Sequence, residues 1–368
     1  MAERKEFLTE QIITYIGNKR SLLSFIDKAV QIVRTELKTD KIDSFDVFSG
    51  SGIVARYLKQ YSCNLYVNDL EDYSRTINKC YLTNEESIDI NELRNWFNDI
   101  RRLLQEKPLI CDGFIARLYA PADDRNIQQT ERVFYTTRNA RYIDTARTYL
   151  EMVPDPYKTL LMGPLLYEAS TKNNTSGVFK GFYKNSKTHL GQYGGNGKDA
   201  LRRILADIEL KLPILSQNSC NVYVMQGDSN IICQGIPHVD LAYLDPPYNQ
   251  HPYGSNYFML NLINNYQEPK EISKVSGIPV RWNKSLYNKK TKAFDSMSSL
   301  CQNLNSTYIL ISYNSEGFIS YNEMVSLLEN LGDVRVFDKK YNVFRGCRNL
   351  KERDFYVKEY LFLLKKRS

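Results

Sequence analysis

Val239-Asp-Leu-Ala-Tyr-Leu-Asp245-Pro-Pro-Tyr248 is the stretch that decides how this chain is read. Its first six residues form an apolar run of the length and composition of a buried strand. The run ends in a carboxylate, two prolines and an aromatic ring. Each proline fixes its own φ and lacks an amide proton, so the corner is stiff and presents bare carbonyl oxygens beside Asp245. That combination suits an exocyclic amino group on a conjugated ring. Such a nitrogen is almost non-basic because its lone pair is delocalised, and a site that alkylates it must hold its two hydrogens with acceptors. Asp245 and the carbonyl of Pro246 are candidate acceptors, and Tyr248 offers a face on which a base can stack.

Outward from this corner the chain alternates short β-type runs with amphipathic helices, the pattern of an α/β sheet. Residues 43–48, 65–67, 222–225, 239–244 and 308–311 are expected as buried parallel strands, and 334–337 with 360–364 as a closing pair. Leu93, Trp96, Phe97, Ile100, Leu103 and Leu104 recur at helical spacing, as do Leu201, Ile204, Leu205 and Ile208; both sets read as core-facing helices. From about residue 75 to about residue 203, polar, Asn-rich and Gly-rich sequence interrupts the rhythm. The expected organisation is a catalytic domain made of residues 1–75 and 204–368, carrying an inserted domain at 76–203.

A second chemical element, Asp46-Val-Phe48-Ser49-Gly50-Ser-Gly52, follows one of these strands and precedes a helical stretch. Glycine lets the main chain turn tightly and lets a ligand approach it closely. Open α/β sheets bind nucleosides at such carboxyl strand ends. Extended to Ala55 the element also fits the dinucleotide fingerprint, with Asp69 placed for ribose hydroxyls, so on this element alone a NAD-dependent enzyme competes. A dehydrogenase has no need for the corner at Asp245.

The net charge is +7, and its distribution matters more than its sum. Residues 171–203 hold seven bases, Lys172, Lys180, Lys184, Lys187, Lys198, Arg202 and Arg203, against the single acid Asp199. Phe179, Phe182, Tyr183 and Tyr193 are interleaved with them, beside the glycine-rich residues 191–197. Bases that neutralise phosphates, aromatic faces and flexible backbone together suit a nucleic-acid surface. Lys180, Lys184 and Lys187 are the candidate phosphate contacts, with Arg138, Arg141 and Arg147 next.

Other chemistries are poorly supplied. The seven cysteines (Cys63, Cys80, Cys111, Cys220, Cys233, Cys301 and Cys347) are scattered without a Cys-x-x-Cys pair, which reads as reduced thiols rather than a disulfide framework. The three histidines, His189, His238 and His251, do not cluster, so neither a zinc site nor a histidine-based triad is expected. No apolar run approaches the roughly 18 residues of a membrane span. The start, MAERKEFLTE, is too charged for a secretory signal. Neither membrane nor export is expected.

Taken in order, Tyr15-Ile-Gly-Asn-Lys19, Asp46-Val-Phe-Ser-Gly-Ser-Gly52, Asn68-Asp69, the insert, Gly227-Asp228 and Asp245-Pro-Pro-Tyr248 resemble the DNA adenine-N6 methyltransferases of the alpha arrangement, the Dam-like superfamily. Tyr257-Phe-Met-Leu-Asn-Leu-Ile263 and Ile311-Ser-Tyr-Asn-Ser-Glu-Gly317 are similar to its restriction-modification branch. The resemblance implies a Rossmann-like methyltransferase sheet, mostly parallel with a closing antiparallel strand, plus an inserted target-recognition domain. It further implies S-adenosylmethionine as cofactor, double-stranded DNA as substrate, a cognate restriction endonuclease as partner, and a cytoplasmic, bacterial or phage-encoded enzyme.

Residue by residue, the resemblance places Tyr15 and Lys19 at the cofactor pocket, with Lys19 near the cofactor's carboxylate or the target strand. Phe48, Ser49 and Gly50 become the turn beneath the cofactor. Asp69 becomes the acceptor for both ribose hydroxyls, and Asp228 the acceptor for the amino group of the cofactor's adenine. Ser229 stands where relatives often carry an aromatic, and Tyr15 where Dam enzymes commonly carry Trp. Residues 174–183 are only loosely similar to the hairpin region of Dam enzymes, so the target sequence does not carry over.

The expected mechanism is direct methyl transfer to an adenine extruded from the duplex and stacked on Tyr248. It needs no covalent enzyme intermediate and no metal. The acceptor corner would equally serve cytosine N4, RNA adenine or a glutamine amide, and from a different class the chain could be a catalytically inactive DNA-binding subunit.

Overall fold

The computed structural model describes residues 3–195, 197–342 and 356–367. Asn196 of the glycine-rich stretch and Cys347 lie outside the described residues.

Seven strands form one sheet: β1 (Ile42–Asp46), β2 (Ser62–Asp69), β3 (Asn221–Gln226), β4 (Val239–Leu244), β5 (Ser306–Asn314), β6 (Gly332–Asn342) and β7 (Tyr356–Lys366). Their order is β3-β2-β1-β4-β5-β7-β6. The first five pair in parallel, and β7 runs antiparallel to both β5 and β6. This is the expected Rossmann-like sheet with one reversed closing strand. Every expected strand is present; β6 and β7 run several residues further than their apolar runs suggested.

Buried strands of a parallel sheet need apolar side chains on both faces. Val239, Leu241, Ala242, Tyr243 and Leu244 of β4 are all buried, as are Ile309, Leu310 and Ile311 of β5. Strand order reverses between β1 and β4: from β1 the sheet grows through β2 and β3 on one side, and through β4 and β5 on the other. Asp46 pairs with Tyr243 there. The glycine turn after β1 and the Asp-Pro-Pro-Tyr corner after β4 therefore start from neighbouring strand ends at a topological switch point, where open α/β sheets take their ligands.

The chain divides into two compact units, which do not follow the expected cut at 76–203. The first comprises Met1–Asn18, Asp72–Gln217 and Tyr253–Asn283; the second comprises Lys19–Glu71, Asn218–Pro252 and Lys284–Ser368. Side-chain burial explains the difference. Phe7 and Ile13 from the N-terminal segment and Phe258, Leu260 and Ile263 from the helix Phe258–Asn265 join Tyr81, Leu165 and Leu166 in one apolar core. The second unit has its own core beneath the sheet, including Phe45, Leu244, Met297, Ile311 and Leu364.

In the first unit the helix Ile90–Glu106 forms as its periodicity predicts, capped by Asp89, which accepts the amides of Asn91 and Glu92. The helix expected over residues 201–208 is shorter. It spans only Leu201–Leu205, and Leu205 is 47% exposed. Beyond it the backbone is extended and its polar groups bond to side chains. Asn139 donates to the Ala206 carbonyl and accepts the Ile208 amide, and Tyr142 accepts the Leu210 amide. Those partners satisfy the main chain without a further helical turn.

Candidate active site

The acceptor corner lies in the second unit and is built around a buried lysine. Lys19, in the short helical turn Lys19–Leu22, places Nζ 3.1 Å from Asp245 Oδ1 and 2.6 Å from Glu359 Oε1 on β7. Ser312 of β5 donates to the same Glu359 oxygen at 2.5 Å. Lys19, Ser312 and Glu359 are all buried, whereas the Asp245 side chain keeps 20% of its surface accessible. Burial alone would depress Lys19, but Asp245 and Glu359 outweigh it and hold the ammonium well above its ordinary pKa. Asp245 is pushed up to about 7 by burial, opposed by Lys19 and assisted by Glu359. One carboxylate oxygen is thus anchored by a cation while the group titrates near neutrality.

Pro246 is buried at the corner. Tyr248 is partly buried, and its ring meets the edge of Tyr313 at a centroid distance of 6.3 Å and an interplanar angle of 72°. Its carbonyl accepts the Phe318 amide at 3.0 Å, and the Tyr313 hydroxyl accepts the Ile319 amide at 3.2 Å. A Cβ at Gly317 would lie 2.2 Å from the Tyr313 ring, so glycine is required for Tyr313 to sit where it does. Tyr313, Gly317 and Phe318 therefore hold the Tyr248 segment in place.

Beside this corner the turn after β1 is held by its neighbours. Gly50 and Gly52 have φ of 50° and 76°, which favour glycine. The Gly50 amide donates to Asp69 Oδ2 at 2.7 Å, the Ser49 amide to the Asn68 carbonyl at 2.9 Å, and the Glu71 amide to Asp69 Oδ1 at 2.9 Å. Asp69 thus links the end of β2 to the turn. Phe48 packs edge-on against Tyr287, centroids 5.1 Å apart. Asp46 is fully buried under the turn. Burial, with Asp245 and Asp69 adding repulsion, drives its carboxyl well above the usual range, and the amides of Phe48 and Ala55 oppose this.

Asp228 caps the helix Ser229–Ile232 by accepting the Asn230 amide at 2.9 Å. One of its oxygens therefore has a structural task. The Asn230 side chain accepts the Tyr287 hydroxyl at 2.8 Å, which connects this cap to the aromatic pair at Phe48.

The second unit thus brings together Lys19, Phe48, Ser49, Gly50, Asp69, Asp228, Asp245, Pro246 and Tyr248. Sequence reading missed Glu359, Ser312, Asp46, Tyr287 and Tyr313. Glu359 belongs to no motif and reaches Lys19 only through sheet pairing, where it sits opposite Asn314 of β5. Asp46, Ser312 and Tyr313 lie inside the motif stretches 46–52 and 311–317, whose spacing alone assigns them no role.

Tyr15 belongs to the first unit. Its ring stacks on Tyr253 and Tyr257, both at 4.8 Å, and the Tyr257 hydroxyl accepts the Ile16 amide at 2.7 Å. In the same unit Lys180, Lys184 and Lys187 are exposed. Lys184 and Gly191 form an antiparallel bridge, which makes residues 183–192 a small hairpin with Lys187 in its loop. The Lys184 ammonium lies 5.1 Å from the centre of the Phe182 ring. Asn174, fully buried, anchors the hairpin base by donating to the carbonyls of Val133 and Gln192 and accepting the Gly194 amide.

Not every base of the +6 segment is presented. Lys172 pairs with the buried Glu168, and Arg203 donates to the carbonyls of Thr171 and Asn173. Phe179 is buried in the core, and the Tyr193 hydroxyl is bound to Asp124. Arg147, one of the next candidates, is buried and donates to the Ile263 carbonyl at 2.7 Å.

Residues 15–327 match the D12 class N6 adenine-specific DNA methyltransferase family. The chain is 31% identical over 363 residues to the Type II methyltransferase M.CviAII of Paramecium bursaria Chlorella virus 1, covering 96% of this chain and 98% of that protein. It is 29% identical over 365 residues to the Type II methyltransferase M.NlaIII of Neisseria lactamica, covering 96% and 99%. Against the modification methylase StsI of Streptococcus sanguinis it is 27% identical over 371 residues, 96% of this chain and 52% of that longer protein. Among the described residues no helix is long and apolar enough to cross a membrane. With its family matched from Tyr15 through β5 and an acceptor corner beside a glycine turn at the switch point, this chain belongs to the D12 class of N6 adenine-specific DNA methyltransferases.

Proposed function

We propose that this chain is the modification enzyme of a restriction system, that S-adenosylmethionine is its methyl donor, and that Asp245 and the Pro246 carbonyl hold the amino group of an adenine stacked on Tyr248. The observation that carries the site assignment is the lysine-anchored Asp245 at a proline corner, on the strand next to the glycine turn. The restriction-system reading is supported by relatives named as Type II methyltransferases.

The donor set fits the cofactor. Gly50 and Gly52 let a ligand approach the turn closely at two positions, Asp69 places a carboxylate at the end of β2 beside it, Phe48 supplies an aromatic surface, and Asp228 retains acceptor capacity beyond its helix cap. S-adenosylmethionine, when bound, supplies an electrophilic methyl group.

At the corner, ionised Asp245 accepts one amino hydrogen of the adenine and the Pro246 carbonyl the other. Both acceptors then stabilise the positive charge that grows on nitrogen as it is alkylated, a task suited to groups fixed in advance. Lys19 keeps Asp245 from swinging away. The proton is released only after alkylation has made it acidic, and Asp245 receives it. Tyr248, braced by Tyr313, supplies a stacking surface to a base that has left the duplex. Lys180, Lys184 and Lys187 contribute phosphate contacts from the first unit, which we read as the target-recognition part of the chain.

Long-read sequencing of DNA from cells expressing the chain tests this reading. A single methylated-adenine motif, with the same DNA resisting an endonuclease that cuts that motif, is the expected result. Methylated adenines without any common motif would contradict the restriction-system assignment.

A further inference from the structure

Glu359 stands apart from every motif. It lies on β7, beyond the matched residues 15–327, yet it is fully buried and its Oε1 is the nearer of the two carboxylate contacts of Lys19. A buried ion pair of this kind is weak evidence for stability, because desolvation offsets the attraction. A positional task explains it better. Lys19 divides its charge between Glu359 at 2.6 Å and Asp245 at 3.1 Å, and Ser312 fixes the shared oxygen of Glu359 from the other side.

We propose that Glu359 is a positioning residue for methyl transfer, holding Lys19 so that Asp245 is anchored at one oxygen while only partly neutralised. This rests on the reading of Asp245 as the acceptor of the amino group. Without Glu359 the whole charge of Lys19 falls to Asp245, which becomes a weaker hydrogen-bond acceptor and a poorer proton recipient. The charged and titratable groups facing Asp245 are Lys19 from its short turn, Glu359 from β7, Asp46 from the end of β1, and Tyr243 and Tyr248 from its own segment. Of these, Glu359 raises Asp245 and Lys19 opposes it, while the buried Asp46 has its own carboxyl driven up beside Asp245.

The pH dependence of turnover in full-length wild type, Glu359→Gln and Ser312→Ala tests the proposal, with saturating duplex DNA and S-adenosylmethionine. Glu359→Gln removes a negative charge beyond Lys19, so the acidic limb should move to lower pH by on the order of half a unit to one unit, and plateau turnover should fall about tenfold. Ser312→Ala leaves the Glu359 charge less compensated, so its limb should move the other way by a few tenths of a unit, roughly. Opposite shifts are the expected result. A role in packing alone would lower stability in both variants and leave both limbs in place, and that outcome overturns the proposal. Should Glu359→Gln not fold, the upward shift in Ser312→Ala decides. A wild-type limb that persists in Asp245→Asn would instead remove Asp245 as its origin, and the reading on which this rests would fail first.

Discussion

Lys19 Nζ lies 3.1 Å from Asp245 Oδ1, and this buried contact joins a residue from the N-terminal motif to the tip of β4. It anchors one oxygen of the carboxylate and, in the proposed function, leaves the second for the substrate. Losing Lys19 would strand Asp245 beside Glu359 as uncompensated negative charge in a buried site, whereas losing Asp245 leaves Lys19 paired with Glu359.

Removing the carboxylate should therefore affect chemistry far more than binding. Asp245→Ala is expected to lower turnover by a factor on the order of a hundred or more. DNA affinity should change much less, because phosphate contacts dominate it. Single-turnover rates beside equilibrium DNA titrations check both halves.

Titration of Asp245 sets the sign of the pH dependence. Its pKa is pushed up to about 7. Below that pH the carboxyl carries a proton and presents a donor where an acceptor is needed. Turnover should rise with pH, roughly tenfold per unit, and level off above about pH 7.5. A flat profile from pH 5.5 to 8.5, on that order of range, would contradict the assignment.

Tyr248 should tolerate Phe and not Ala. The ring is what stacks, at roughly 1–3 kcal/mol per base, and a mismatch at the target should partly rescue the alanine variant because less unpairing is required. Gly317→Ala should mimic that loss indirectly. Its Cβ would meet the Tyr313 ring at 2.2 Å, which predicts overpacking that costs about 1–3 kcal/mol and a displaced ring behind Tyr248. Thermal melting and turnover of the three variants read these effects.

Changing Lys180, Lys184 and Lys187 together to Ala should weaken binding to all DNA sequences and make its salt dependence shallower by about one unit of log-log slope per lost contact. Cofactor affinity should stay unchanged. Lys172 and Arg203 make poor probes of the same surface, because one is paired with Glu168 and the other holds backbone carbonyls. DNA titrations over a salt series measure the slopes.

Much of the fold was legible because buried parallel strands leave a local record. The run 239–244 needs apolar side chains on both faces, and the prolines that end it constrain their own backbone. The glycine turn was legible for the same reason, since positive φ at Gly50 and Gly52 selects the residue. What stayed hidden depends on long-range pairing. Glu359 meets Lys19 only once β7 has reversed direction beside β5. The division of the chain was equally opaque, because burial of Phe7 with Leu165 leaves no periodic trace. The short helix at Leu201 shows propensity giving way to tertiary hydrogen bonds from Asn139 and Tyr142.

Transfer of isotopically labelled methyl groups from S-adenosylmethionine to duplex DNA, followed by digestion to nucleosides and mass spectrometry, tests the acceptor corner most directly. N6-methyldeoxyadenosine should be the labelled product of the wild type and should fall at least about a hundredfold in Asp245→Ala. Label in N4-methyldeoxycytidine, or undiminished N6-methyldeoxyadenosine from Asp245→Ala, would contradict it.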